Sequence, residues 1–314
     1  MTVIFGTDLA LSSDNPTQSI QPADVMINTQ LGRVPIEPIP DTPSLDPEKV
    51  NLGERLFHDK RLDRDKRMAC ADCHSIENGG TDKLAFSVNS NGEATQFNTP
   101  TIFNVALNSK YYWSGKFVTL EEQMTDALNE INTTWPDLIR TLKAIPRYRD
   151  AFDALYPDGV TVENIQDVFV HFEHSLLTPN SAFDRYLKGD AGALNRNEFR
   201  GYELFKSYGC ITCHQGKNIG GNILLNANKA NTSFGKLTSI NARLKGKIKY
   251  IRVPSLRNVA ITAPYFHDGS ATSLYQAVQR MIDEYIGIEA DDEEIHYIVS
   301  FLKSLTGEYK GKKL

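Results

Sequence analysis

Cys70-Ala-Asp-Cys-His74 and Cys210-Ile-Thr-Cys-His214 are two copies of one pentad, Cys-x-x-Cys-His, and together they use all four cysteines of the chain. Two thiols at this spacing add across the vinyl groups of a haem, and the adjoining histidine supplies the proximal nitrogen to its iron. A lone Cys-x-x-Cys also suits half a zinc site or a thiol redox pair. With two pentads and no cysteine left over for a four-thiolate site or a disulfide, two covalently attached c-type haems are the better reading. Two haems in one chain mean redox work, and the question is whether one of them does chemistry besides passing electrons.

The pentads lie 140 positions apart (214 − 74) in 314 residues, which assigns one haem to each of two domains. The expected division is an N-terminal extension at 1–44, a first haem domain at 45–185 and a second at 186–314. A hydrophobic content of 40% is enough for ordinary cores, and no apolar run is long enough to cross a bilayer. The net charge of −5 argues against a nucleic-acid surface. Met1 to Leu11 lack a basic n-region and are interrupted by Asp8, so they make a poor secretory signal. Haem attachment of this kind takes place outside the bacterial cytoplasm, so a periplasmic protein is expected, with these residues beginning a mature or an engineered form.

The chain repeats itself. Gly53-Glu-Arg-Leu-Phe57 precedes the first pentad and Gly201-Tyr-Glu-Leu-Phe205 the second, while Gly79-Gly80 and Gly220-Gly221 follow them. Thirteen positions separate Phe57 from Cys70 and five separate Phe205 from Cys210, so the first copy of a duplicated haem domain carries an insertion. Ile165, Val168, Phe169, Phe172 and Leu176 recur at helical spacing, as do Ile295, Ile298, Val299, Leu302 and Leu305. Leu120 to Leu142 also reads as helix, broken around Asn132 to Pro136. Residues 12–44 are polar and then proline-rich, which favours an extended segment. The fold class is mainly α: two cytochrome c-like haem domains with long loops and little β structure.

Downstream of His214, His267 and Met281 are the candidates for a sixth ligand. A methionine/histidine iron has no vacant position and a raised potential, which suits electron entry; Met281 also fits the core face of an amphipathic helix. At this point the chain resembles the bacterial dihaem cytochrome c peroxidase family, which includes the MauG-type enzymes. The likeness rests on Leu52-Gly-Glu-Arg-Leu-Phe57, Asn98-Thr-Pro100, Tyr112-Trp-Ser-Gly115 and Glu122-Gln123 around the first pentad. Around the second it rests on Phe183 to Asp190, Val253-Pro-Ser-Leu-Arg-Asn258, Thr262 to Gly269 and Phe301 to Gly307.

The resemblance implies a peroxidatic first haem, attached at Cys70 and Cys73 and held by His74. It implies an electron-transfer second haem, attached at Cys210 and Cys213 and held by His214 and Met281. Trp113 matches the family's tryptophan between the haems. Gln123 and Glu130 match the polar pair over the peroxide site, Glu130 by way of a short deletion. Such a carboxylate moves the proton from one peroxide oxygen to the other so that water leaves, and the amide orients peroxide. Asn98, Thr262 and Pro264 match a calcium site between the domains, and their oxygens are suitable hard ligands.

One departure stands out. Many family members carry a loop histidine that blocks the peroxidatic iron, yet no histidine occurs here between His74 and His171, and the best-matching position is Ser90. A serine hydroxyl is a poor ligand for ferric haem. The expected activity is therefore reduction of hydrogen peroxide, without reductive activation. The expected donor is a small monohaem cytochrome c or cupredoxin, and the expected assembly is a homodimer, as is common among related enzymes. The rival readings are a MauG-type enzyme oxidising side chains of a protein partner, and a non-catalytic dihaem electron carrier.

Overall fold

The computed structural model describes residues 35–41, 43–226 and 248–314. It is mainly helical, with ten α-helices and two small two-stranded sheets among the described residues. Most of the expected 1–44 extension lies outside them. Its described end has no regular structure and lies on the second half, where Ile39 N donates to Asp184 and Arg257 to the Glu37 carbonyl. Arg257 and Asp184 pair at 2.9 Å, both fully buried, so this cation has its counter-ion.

Each half is built on one helix crossing. In the first, α1 (Pro47–Phe57) packs on α6 (Val162–His174). Asp46 caps α1 by accepting from Glu48 N and Lys49 N, and proline occupies its first turn, where the missing N–H costs nothing. In the second half, α8 (Arg196–Ser207) packs on α10 (Asp292–Lys303), and both begin with capping boxes, Asn195–Glu198 and Asp291–Glu294. The repeated glycines mark both crossings. A Cβ on Gly53 would stand 2.2 Å from the Val168 carbonyl oxygen, and one on Gly201 would stand 1.9 Å from that of Tyr297. Only glycine lets the helix backbones approach this closely.

The pentads form α2 (Cys70–Cys73) and a 3₁₀ turn at Cys210–Thr212. The segment expected to be one broken helix is two: α3 (Leu120–Glu130) and α4 (Trp135–Ala144). Pro136 lies in the first turn of α4, so it helps to start that helix rather than break one. Then come α5 (Pro146–Leu155), α7 (Ala182–Leu187), α8, and α9 (Leu274–Met281), which runs on into a π turn at Ile282–Ile286. β1 (Leu224–Asn226) pairs antiparallel with β2 (Tyr250–Arg252), and β3 (Glu308–Tyr309) with β4 (Lys312–Lys313). The apolar stripes read from sequence on α6 and α10 are buried throughout. One core gathers around Leu52, Phe57, Phe152 and Phe172, the other around Phe183, Tyr202, Phe205 and Phe301.

From Asn104 and Asn258 onward the halves repeat at a constant 154 positions (258 − 104). Both asparagines are left-handed, with φ of 59° and 60°. Tyr112 and Phe266 follow at 68° and 70°, then Gly115 and Gly269 at 64° and 60°. The bridges Tyr111–Phe117 and Tyr265–Ala271 coincide, and Thr119 and Ser273 cap α3 and α9. The two halves meet at Thr178, whose Oγ1 accepts from Asn104 Nδ2 at 2.7 Å and Asn258 Nδ2 at 2.9 Å, all three residues being fully buried. Thr178→Val leaves both amides unsatisfied and is expected to lower stability by about 2–5 kcal/mol, whereas Thr178→Ser retains most of it; denaturant unfolding of the two variants measures this.

Candidate functional site

In each pentad a single helical turn brings the thiols and the imidazole to one side of the backbone. His74 N donates to Cys70 O at 2.9 Å, and His214 N to Cys210 O at 3.0 Å. Both imidazoles are inside the protein, where burial favours their neutral, ligating form. His214 Nδ1 faces the Ile219 carbonyl at 3.4 Å. His74 Nδ1 is buried without a hydrogen bond at normal distance, although the Gly80 and Pro100 carbonyls are near enough to oppose its loss of water. Burial pushes the Cys70 and Cys210 thiols up to about 12. No disulfide forms.

Gln123 and Glu130 both lie on α3, seven residues apart, and with Ala127 they make one stripe at i, i+4 and i+7. Gln123 is half-buried and Glu130 is at the exposed end of the helix. The Glu130 carboxyl is held above the ordinary glutamate range, first by the protein around it and then by Asp126. The 154-residue register explains the second cause. Asp126 and Glu130 correspond to Arg280 and Glu284, which form an i, i+4 ion pair at 2.9 Å. The first half therefore has an anion where the second has a cation, and its glutamate is biased towards keeping a proton.

Ser90 is buried, and its hydroxyl donates to the Asp63 carboxylate at 3.0 Å while its N–H donates to the Glu130 carbonyl at 3.1 Å. Asp63 also accepts from the backbone of Asp65, Arg67 and Met68, and these bonds outweigh its burial and keep it ionised. Its charge holds the Ser90 hydroxyl, while the Ser90 N–H ties the same loop to the end of α3.

Trp113 lies where the halves touch. Its indole donates to Asn98 O at 2.8 Å, its carbonyl accepts from Arg252 N at 2.7 Å, and its ring meets His267 edge-on at 6.3 Å. His267 is its equivalent in the 154-residue register. Asn98 N donates to His267 O at 2.8 Å and Asn98 Nδ2 to Leu84 O at 2.7 Å. Asn98 Oδ1 and the Thr262 and Pro264 carbonyls accept no hydrogen bond among the described residues, as a cation site requires. Lys83 donates to the Ile261 carbonyl, one residue before Thr262.

Two residues at this site were not evident from sequence. Arg252 is 4% exposed and donates from Nε to the Tyr112 carbonyl at 3.1 Å, with no carboxylate in ion-pair reach among the described residues. No aspartate or glutamate occurs between Glu203 and Asp268, so this stretch supplies no counter-ion of its own. A buried guanidinium without an acid calls for an anion from outside the polypeptide. The carboxylates of a haem are such anions. Glu173, on α6, is raised to about 8 by burial and by Glu121, and its field reaches Cys70 and Tyr111. Neither residue belongs to a motif; burial alone distinguishes them. His171, also on α6, has its Nδ1 at 2.8 Å from the Asp167 carbonyl.

Paired thiols beside a buried imidazole, twice over in one duplicated helical fold, define a two-haem c-type protein. The chain belongs to the di-haem cytochrome c peroxidase family, whose model matches residues 47–192. It is 38% identical over 287 residues to the cytochrome c peroxidase Ccp of Escherichia coli, covering 88% of this chain and 62% of that protein's length. It is 34% identical over 290 residues to the cytochrome c551 peroxidase of Nitrosomonas europaea, covering 89% of this chain and 86% of the relative. The fold is also that of a crystallised MauG-like protein associated with microbial copper homeostasis, with a TM-score of 0.73 at 24% identity, over 88% of this chain and 95% of that one.

Replacing Asp126 by Asn removes one of the two causes that raise the Glu130 pKa. The Glu130 pKa is expected to fall, and to fall further in Asp126→Arg, which recreates the Arg280–Glu284 arrangement. A pH titration of the Glu130 carboxyl by NMR measures both.

Proposed function

We propose that the protein reduces hydrogen peroxide to two waters, taking two electrons one at a time from a small soluble donor such as a monohaem cytochrome c or a cupredoxin. The observation that carries this reading is the α3 stripe, an amide and a carboxyl of raised proton affinity on one helix face. Haem c supplies the redox chemistry when bound. His74, Cys70 and Cys73 would hold the peroxidatic haem, and His214, Met281, Cys210 and Cys213 the electron-transfer haem. Arg252 would neutralise a haem carboxylate between the halves, and the unbonded His74 Nδ1 faces carbonyls that orient the ring.

Gln123 offers both a donor and an acceptor, so it can fix peroxide in one orientation. Glu130 takes a proton from one peroxide oxygen and delivers it to the other, so that the departing group leaves as water rather than hydroxide. A carboxyl with raised proton affinity suits both steps at neutral pH. Trp113 fills the contact between the halves with an aromatic ring, which shortens any electron path across it. Asn98, Thr262 and Pro264 would hold a calcium ion there.

Ser90 bears on activation. With its hydroxyl committed to Asp63, it supplies no ligand above the peroxidatic iron, so turnover proceeds without prior reduction. The same feature favours the second reading, a MauG-type oxidation of a protein partner; Met281 opposes it, because the best-known such enzymes carry tyrosine there. A periplasmic location and a homodimer complete the proposal. In assays with reduced cytochrome c and no pre-reduction, the native holoprotein is expected to turn over rapidly, and Glu130→Gln to lose about 10²–10⁴-fold in kcat. Slow turnover with oxidation of protein side chains supports the MauG-type reading instead, and no reaction with peroxide leaves an electron carrier.

A further inference from the structure

The halves are in register from Asn104 to Ala127 and from Asn258 to Met281, through the paired left-handed residues, bridges and caps. That register places Met281 opposite Ala127 (281 − 154). We propose that Ala127 is the specificity-determining position of the peroxidatic haem: a methyl group stands where the other half presents a thioether to iron, and the space so left is the peroxide pocket. This rests on Met281 being the second iron's sixth ligand.

Three observations carry it. Ala127 lies between Gln123 and Glu130 on the same stripe of α3, so the position that supplies a ligand in one half is bracketed by the reactive pair in the other. The exchange is reciprocal, because Gln123 corresponds to Ala277, which is buried in the core of the second half, and Glu130 corresponds to Glu284, which Arg280 neutralises. Where the thioether is present the reactive pair is absent or tied up; where the pair is available the thioether is absent. Finally, the methionine that α3 does carry, Met124, is packed against the first core. Met124 corresponds to Val278, itself a core residue, so it is no displaced copy of the ligand. With the Ser90 loop supplying no ligand, blocking of the iron from α3 turns on one side chain at a helical position that tolerates methionine well, since Met is among the better helix formers.

The test uses the ferric holoprotein, reading the thioether-to-iron absorption band and the affinity for cyanide. In Ala127→Met the band is expected to double and the first haem's cyanide affinity to fall about 100-fold. Ala127→His, which offers an imidazole from the same position, is expected to show the same fall without the added band, and answers the question if the methionine variant fails to fold. Either variant carrying two haems, natively helical by circular dichroism and still binding cyanide as tightly as the native protein overturns the proposal. Met281→Ala separates the underlying reading: it should abolish the native band, and a band that survives it removes the thioether ligand from the second half and the proposal with it.

Discussion

Thr178 receives hydrogen bonds from Asn104 and Asn258 at once, and the rest of the molecule is arranged around that junction. Each asparagine is left-handed, which is unusual for a residue with a Cβ. Each also ties the end of its half's last long helix to the loop that leads to α3 or α9. Asn104 Oδ1 accepts from Thr178 N at 2.8 Å, and Asn258 Oδ1 from Gly307 N at 3.0 Å. Sharing one hydroxyl forces the two copies into a fixed mutual orientation. The same orientation brings Trp113 and His267, equivalent residues, into edge-on contact between the halves.

Duplication alone would yield two similar electron carriers. The differences that matter lie on one helix in each half. On α9, Arg280 neutralises Glu284 and Met281 ends the helix. On α3, Asp126 stands where the arginine would be, Ala127 where the methionine would be, and Gln123 where a core alanine would be. In the proposed reading these exchanges turn a closed, carrier-like half into an open, proton-handling one. The turns, bridges and caps keep their register; the backbones part after Ala127 and Met281, where α3 continues and α9 gives way to a π turn.

Much of this was legible in the sequence because it is written in short, rigid patterns. The pentads announce haem attachment, the Gly-x-x-Leu-Phe repeats mark the helices that cross, and the three- and four-residue apolar spacing locates α6 and α10. The break in the predicted 120–142 helix was recognised, while the role of Pro136 was not, because proline both starts and ends helices and only position within the turn decides. Arg252, Glu173 and Asp63 were invisible. A charged residue reads as surface in a sequence, and only three-dimensional burial turns it into a cation wanting an anion, a carboxyl keeping its proton, or an anchor for a loop. Ser90 was legible as a missing histidine; its bond to Asp63 was not.

The central claim is the asymmetry of two halves that share one backbone, and electron paramagnetic resonance of the fully oxidised holoprotein measures it most directly. The account predicts one low-spin and one high-spin ferric haem in equal amounts before any reductant is added. Two low-spin signals in the resting protein would contradict it.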